Sequence, residues 1–382
     1  MRNDRHPARR IFIGGLLVAG TLATPLAGAQ TTVTLYGIAD GDFRVDHTSV
    51  GTLKSIGSGG ESASRWGLRG TEDLGGGWKA IFNFEQDFDL SDNSVPQGDI
   101  VRSSASQPTS STGSRLFGRR AIVGLHSTTF GEIRVGREYT PLYRAWRDAD
   151  PFEAGTVARG SNYAVGSVPR FDNTVTYETP KVAGLTATLQ YRPSEQTAVA
   201  NDLPRQFGQG YGGSVVYESG PLYVGLGYLH ELRGSLPTKS ETAAIVWDFA
   251  VAKLHGFYFR TNAASLDTGP GAGSRYQSYA LGTTVPLQAF TIKAAVARID
   301  NQDHYVDRGN GDGARSANVF GAGVTYSFSK RTDLYLAASK IVNGAAAAFI
   351  ISDMSNNGLY TTSNVPVGFN PWSAQLGLRH MF

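Results

Sequence analysis

Residues 373–382 read SAQLGLRHMF, an alternation that runs without interruption to a phenylalanine. In an extended chain successive side chains point to opposite faces. Ala374, Leu376, Leu378 and Phe382 therefore share one face, while Ser373, Gln375 and Arg379 share the other. Chain ends fray unless something holds them, so the pattern predicts a strand locked into a sheet. What its apolar face touches decides the fold.

The other end of the chain speaks to compartment. Arg2, Arg5, Arg9 and Arg10 precede an uncharged run over 11–23, and Ala27-Gly28-Ala29 follows with small side chains. A positive start, a short apolar middle and an A-x-A end predict a secretory signal peptide over residues 1–29. The run is too short for a membrane helix, which needs about 20 apolar residues. The whole chain has 35 Lys+Arg against 32 Asp+Glu; removing the segment's four Arg and one Asp leaves 31 against 31. Apparent basicity therefore belongs to the segment that is removed, and with no nucleic-acid motif present it argues against a nucleic-acid partner. Cysteine is absent, which excludes disulfides, thiolate metal sites and cysteine nucleophiles.

Beyond the signal no apolar run reaches helical membrane length, yet short alternating segments follow one another along the whole chain. They include 31–45, 64–74, 78–88, 117–127 and 131–139, and continue in the same style to 372–382. Sixteen strands are expected. Every second connection is a tight Gly, Pro or Asp turn; most of the others are long, at 91–114, 140–170, 194–210, 263–273, 300–315 and 344–371. Short turns at one end and long loops at the other are the arrangement of a transmembrane β-barrel with an even strand number. A soluble sandwich, propeller or β-helix would have more even connections, and no fixed repeat is visible. Closure of a barrel leaves no edge. The last strand must then pair with the first, its apolar face would meet lipid or another subunit, and Phe382 would sit in an interfacial aromatic girdle, while Trp78, Tyr177 and Trp372 near strand ends would anchor the barrel at the interfaces.

VTLYGIADGDF (33–43), SRWGLRGTEDLGGGWKAIFNFE (64–85), RRAIVGL (119–125) with FGEIRVGRE (130–138), and GLRHMF (377–382) resemble the general trimeric porins of Gram-negative outer membranes, in the branch typical of betaproteobacteria. The resemblance spans residues 31–382. It implies a homotrimer of sixteen-stranded antiparallel barrels embedded in outer-membrane lipid and lipopolysaccharide, with the third loop folded into the lumen. Such a pore passes ions and small hydrophilic solutes down their gradients, performs no catalysis and needs no cofactor or metal. The barrel domain is expected over 30–382, with 140–170 as the constriction loop.

In the resemblance, DADPFEAG (148–155) matches the acidic part of that loop, so Asp148, Asp150 and Glu153 are the expected acids of the constriction. Alternation turns Trp66 and Leu68 outward and Arg65 and Arg69 inward, and Arg65 matches the family's wall arginine. Arg119 takes a second such position, although Arg120 beside it departs from the pattern. Arg170 is expected inward on one face with Asp172 and Thr174, and Arg134 is lumen-facing by alternation. Arg137 falls on the outer face, where it would tie subunits together. Selectivity in a pore follows its width and the charges at its narrowest point.

Other chemistry is poorly supported. No glycine cluster opens a helix after a strand as a phosphate loop requires, GGSVV lacks the G-x-S-x-G spacing, and no two histidines have ligand spacing. The acidic stretch 300–313 carries oxygen ligands suited to Ca²⁺ but reads better as an exposed loop. A porin specific for anions or organic acids is the alternative within the class; a barrel enzyme or an adhesin is the alternative outside it.

Overall fold

The computed structural model describes residues 31–91, 100–104, 107–110, 116–165, 167–193, 208–233, 236–264, 273–302, 315–351 and 366–382. The expected signal segment, most of loop 91–114 and the acidic stretch over 303–314 lie outside them.

Nineteen strands run in chain order: β1 (Thr32–Thr48), β2 (Gly51–Ser58), β3 (Arg65–Gly75), β4 (Trp78–Asp87), β5 (Ile100–Ser104), β6 (Gln107–Ser110), β7 (Arg120–Ser127), β8 (Gly131–Tyr139), β9 (Arg170–Glu178), β10 (Leu185–Arg192), β11 (Gly210–Ser219), β12 (Leu222–Arg233), β13 (Leu236–Asp248), β14 (Lys253–Ala264), β15 (Gly273–Leu287), β16 (Phe290–Asn301), β17 (Ser316–Ser327), β18 (Thr332–Asn343) and β19 (Trp372–Met381). One helix, α1 (Pro141–Arg147), and a single 3₁₀ turn lie between β8 and β9. Strands β5 and β6 form a separate hairpin, and the remaining seventeen make one antiparallel sheet.

That sheet closes. β1 pairs with β19 from Ile38↔Met381 to His47↔Trp372, and Gly37 and Phe382 exchange backbone hydrogen bonds of 3.1 and 3.0 Å just beyond. The opposite edge of β1 is shared. Its first part, Thr32–Ile38, pairs with β3, and its second part, Gly41–Thr48, pairs with β2. Strands β2 and β3 are thus two halves of one stave, and the barrel is sixteen-stranded. The sequence reading recovered β3 but not β2, because GTLKSIGS carries only Leu53 and Ile56 as large apolar residues.

The faces are inverted relative to a soluble protein. In β18 the exposed side holds Leu334, Leu336, Ala338, Lys340 and Val342, and the buried side holds Asp333, Tyr335, Ala337, Ser339, Ile341 and Asn343. Leu376 and Leu378 of β19, and Phe382 just beyond it, are about half exposed, whereas Ser373 and Gln375 are buried. A largely apolar outer face and an inner face that holds most of the buried polar side chains suit lipid outside and water within. The inner face turns apolar at Ile299, Val319 and Ile341, where Val157 and Tyr163 pack. At the short-turn end exposed rings gather: Trp78 stacks on Phe130 at 5.8 Å, Trp247 lies 6.2 Å from Phe249, and Phe290 lies 4.8 Å from Tyr326. Tyr177 donates from its hydroxyl to the Phe130 carbonyl at 2.8 Å. These amphipathic rings occupy the level where lipid headgroups begin. Trp372, also exposed, stacks on His47 at the other end.

Candidate functional site in the barrel interior

The segment after β8 is built to lie against the wall. Thr140 caps α1, its hydroxyl oxygen accepting from the Tyr143 N–H at 3.2 Å, and Pro141 follows at the first helical position, where its missing N–H costs nothing. Leu142 and Trp146 pack with Phe171, Leu229 and Phe259. The approach is close: a Cβ on Gly225 would stand 2.6 Å from the Ala145 carbonyl oxygen. Tyr223 donates to that same oxygen at 2.9 Å, and His255 Nδ1 lies 2.8 Å from the Ala149 carbonyl. Farther on, the Val157 N–H donates to Gln375 at 3.1 Å. The segment therefore touches the polar face of strands from β12 to β19.

Asp150 fastens it. Its carboxylate accepts from the backbone N–H groups of Phe152 (3.3 Å), Ala154 (2.8 Å) and Gly160 (2.7 Å), and from the Tyr163 hydroxyl (3.0 Å). Burial pushes its carboxyl above the usual range despite those four donors, and burial together with Asp150 pushes the Tyr163 phenol well up. Asp148 and Glu153, on either side of it in sequence, are exposed. The three expected acids thus divide into two that face open space and one that is spent inside the loop.

Two cavities meet at those residues. One, of about 850 Å³, is bordered by Ser55–Ser58, Asp89, Ser91 and Arg170, at the long-loop end. The other, of about 640 Å³, is bordered by Gly220, Pro221, Asp248 and Lys253, at the short-turn end. Asp148, Glu153 and Glu61 line both. The first cavity also carries Arg44, Arg65, Arg119, Arg147, Arg159 and Arg170.

Of the expected arginines, three come together. Arg119 donates to Glu85 at 2.6 Å, to Asp87 at 2.7 Å and to the Tyr139 hydroxyl at 2.8 Å. Arg170 donates to that hydroxyl at 2.9 Å, and Arg65 lies 3.5 Å from Glu85. Arg120 also faces the interior but pairs with Glu138 and borders a different, smaller pocket, as does Arg69. Arg134 is nearly enclosed by Glu132, Glu138 and Glu178 and borders none of these cavities. Arg137, on the outer face, is bound within its own chain to Asp172 and the Gly118 carbonyl.

One reading of the alternation needs correction. Asp172 does not share a face with Thr174. Asp172 and Asn173 stand against the single residue Arg137 in the β8–β9 pairing, and Asn173 has φ 53°. A bulge of this kind inverts the alternation beyond it, leaving Phe171 and Thr174 buried and Asp172 beside Arg137.

Sequence reasoning missed Glu61, Tyr139 and Arg147. Between β2 and β3 the chain leaves the wall: the N–H groups of Glu61 and Ser62 donate to the Asp40 carboxylate at 2.9 and 2.6 Å. Glu61 is thereby presented to Lys293 at 3.2 Å, Thr325 at 3.0 Å and Arg379 at 3.6 Å. The paired Gly59-Gly60 was the available signal, since a Cβ on Gly60 would meet the Asp42 carboxylate at 2.6 Å. Tyr139 stacks on Tyr143 at 5.6 Å, and Arg147, which pairs with Asp148 at 2.8 Å, reaches over the Tyr139 ring.

The comparisons agree with this architecture. A family model described as Gram-negative porin matches residues 15–346. Outer membrane porin protein 32 of Delftia acidovorans is 30% identical, covering 96% of this chain and 99% of its own. An outer membrane porin protein of Bordetella pertussis is 29% identical, covering 86% and 94%. Among solved structures, the anion-selective porin from Comamonas acidovorans aligns with a TM-score of 0.75 at 27% identity, over 92% of this chain and 100% of that one. These relatives are channels rather than enzymes. Their agreement with a closed sixteen-strand barrel, apolar on its outside, assigns the protein to the Gram-negative outer membrane, and the chain belongs to the Gram-negative porin family.

Proposed function

We propose that this porin is a general diffusion channel, trimeric in the membrane, whose constriction is the 140–170 loop and whose preference is weakly anionic. It passes ions and small hydrophilic solutes and catalyses nothing. The observation that carries the reading is the position of Asp148 and Glu153. Both border the two interior cavities, so a solute crossing from one to the other passes them.

Opposite charges across a water-filled gap order the water between them, which disfavours apolar solutes. The acids are Asp148 and Glu153, with Asp150 holding the loop; the basic wall is Arg65, Arg119 and Arg170, with Arg134 as a neutralised support. Arg170 supports the anionic preference because, among the described residues, no carboxylate pairs with it. The relative whose title reads anion-selective points the same way. Local cationic excess concentrates anions.

Single-channel recording in a planar bilayer across a KCl gradient tests this. Closures in thirds and a reversal potential on the anion side are expected. Cation preference would transfer the dominant charge to Asp148 and Glu153, and absence of conductance from folded protein would overturn the channel reading.

A further inference from the structure

Arg69 is held in place without using its hydrogen-bond donors. Its guanidinium lies 5.2 Å from the ring centre of Tyr36, and Tyr36 is itself anchored, its hydroxyl 3.1 Å from Asn83 Oδ1 and 3.0 Å from Glu85 Oε2. No ion pair or hydrogen bond engages Arg69 among the described residues. This differs from Arg65, Arg119, Arg120 and Arg134, each of which faces at least one carboxylate. A face-packed arginine keeps its planar fork of N–H groups pointing edgewise to whatever arrives.

What it faces is a pocket of about 280 Å³ on the interior wall of β1, β3, β4 and β7. Thr34, Thr71 and Asn83 line the same pocket and offer hydroxyl and amide donors. The two other charges at the rim, Arg120 and Glu132, already have partners in Glu138 and Arg134. The pocket's one unmatched charge is therefore positive. In the larger short-turn cavity, by contrast, the acids Glu178, Glu218, Asp248 and Asp333 are paired with Arg134 and Arg144, Lys181, Lys253 and Arg379.

We propose that Arg69, with Thr34, Thr71 and Asn83, forms a second anion subsite beyond the constriction, taking a small oxyanion such as a carboxylate or a phosphate. It rests on the channel reading above and extends it. An anion leaving Arg65 and Arg119 meets in Arg69 a guanidinium with no carboxylate partner among the described residues, on the same strand as Arg65. Bidentate pairing of guanidinium with an oxyanion, supplemented by hydroxyl donors, is the strong form of such a contact.

The test is sided block of reconstituted trimers in dilute KCl, with inorganic pyrophosphate or citrate added to one chamber at a time. Channel current before either anion is added checks the channel reading separately. In the wild type, pyrophosphate from one side reduces chloride current at lower concentration than from the other. Arg69→Gln weakens block from that side roughly tenfold, the effect of losing one charge-assisted hydrogen-bonded partner, and Arg69→Lys recovers part of it. Thr71→Asp, which places a carboxylate two residues along β3 on the face of Arg69, abolishes it. Block by citrate as well as pyrophosphate identifies a general oxyanion site; block by one alone narrows the class to phosphate or carboxylate. Equal block from both sides in the wild type, or unchanged block in Arg69→Gln, would overturn the subsite.

Discussion

Arg170 lies 4.4 Å from the ring centre of Tyr139 and donates to that residue's hydroxyl oxygen at 2.9 Å. Arg119 donates to the same oxygen at 2.8 Å. One phenol thus orders two guanidinium groups in the long-loop cavity, and only one of them, Arg119, is also neutralised by acids.

Arg170→Gln should therefore move selectivity more than its single charge among many suggests. A unit charge about 8 Å from an ion in water is worth about 0.5 kcal/mol, roughly a twofold change in permeability ratio. Reversal potentials in a tenfold KCl gradient check this, and the shift should fade at 1 M salt, where screening acts within about 3 Å.

Asp148 and Asp150 should part company on mutation. Asp148→Asn and Glu153→Gln remove exposed charges and are expected to increase anion preference with little change in unfolding. Asp150→Ala strips the acceptor from three N–H groups and a phenol, a loss of about 3 kcal/mol or more. Its signature is a lowered thermal midpoint with noisier or larger conductance steps; a pure selectivity change would contradict the fastening role.

The fastening carries a pH dependence of known sign. Because burial raises the Asp150 carboxyl above its ordinary value of 3.8, the folded loop binds this proton more readily than the unfolded chain does. Asp150's ionisation therefore opposes folding above the raised value, and that opposition is relieved as pH falls toward 3.8. The difference in denaturant midpoint between wild type and Asp150→Asn should shift in favour of wild type over this descent. A shift toward the variant would refute the linkage.

Glu61 joins β2–β3, the loop and the wall at once. Glu61→Gln leaves Lys293 without its carboxylate and weakens the bonds to Thr325 and Arg379, a cost of about 2 kcal/mol. Since Glu61 borders both cavities, the same change should raise anion preference. Thermal unfolding and reversal potential, measured on one preparation, test both parts.

Much of the molecule was already written in the sequence. Alternation has period two and needs only neighbouring residues to be seen, so most of the strands, the apolar-out inversion and the closure through SAQLGLRHMF were legible. Turn chemistry is equally local, which made the short connections readable. Loop 140–170 announced itself by length and by its acids.

The site was legible only in part, because its geometry depends on contacts between distant segments. Nothing near Asp150 in sequence says that Gly160 and Tyr163 turn back to it while Asp148 and Glu153 do not. The bulge at Asp172–Asn173 reverses a face that strict alternation would assign otherwise. Glu61 becomes a lining residue because Asp40 draws in the break between β2 and β3, and Arg69 differs from Arg65 because Tyr36 takes its face and, among the described residues, no carboxylate takes its edge. Local periodicity determined the barrel; which charges inside it are spent and which are free was decided by the tertiary fold, since neutralisation requires a partner within a few ångströms and sequence distance does not report that.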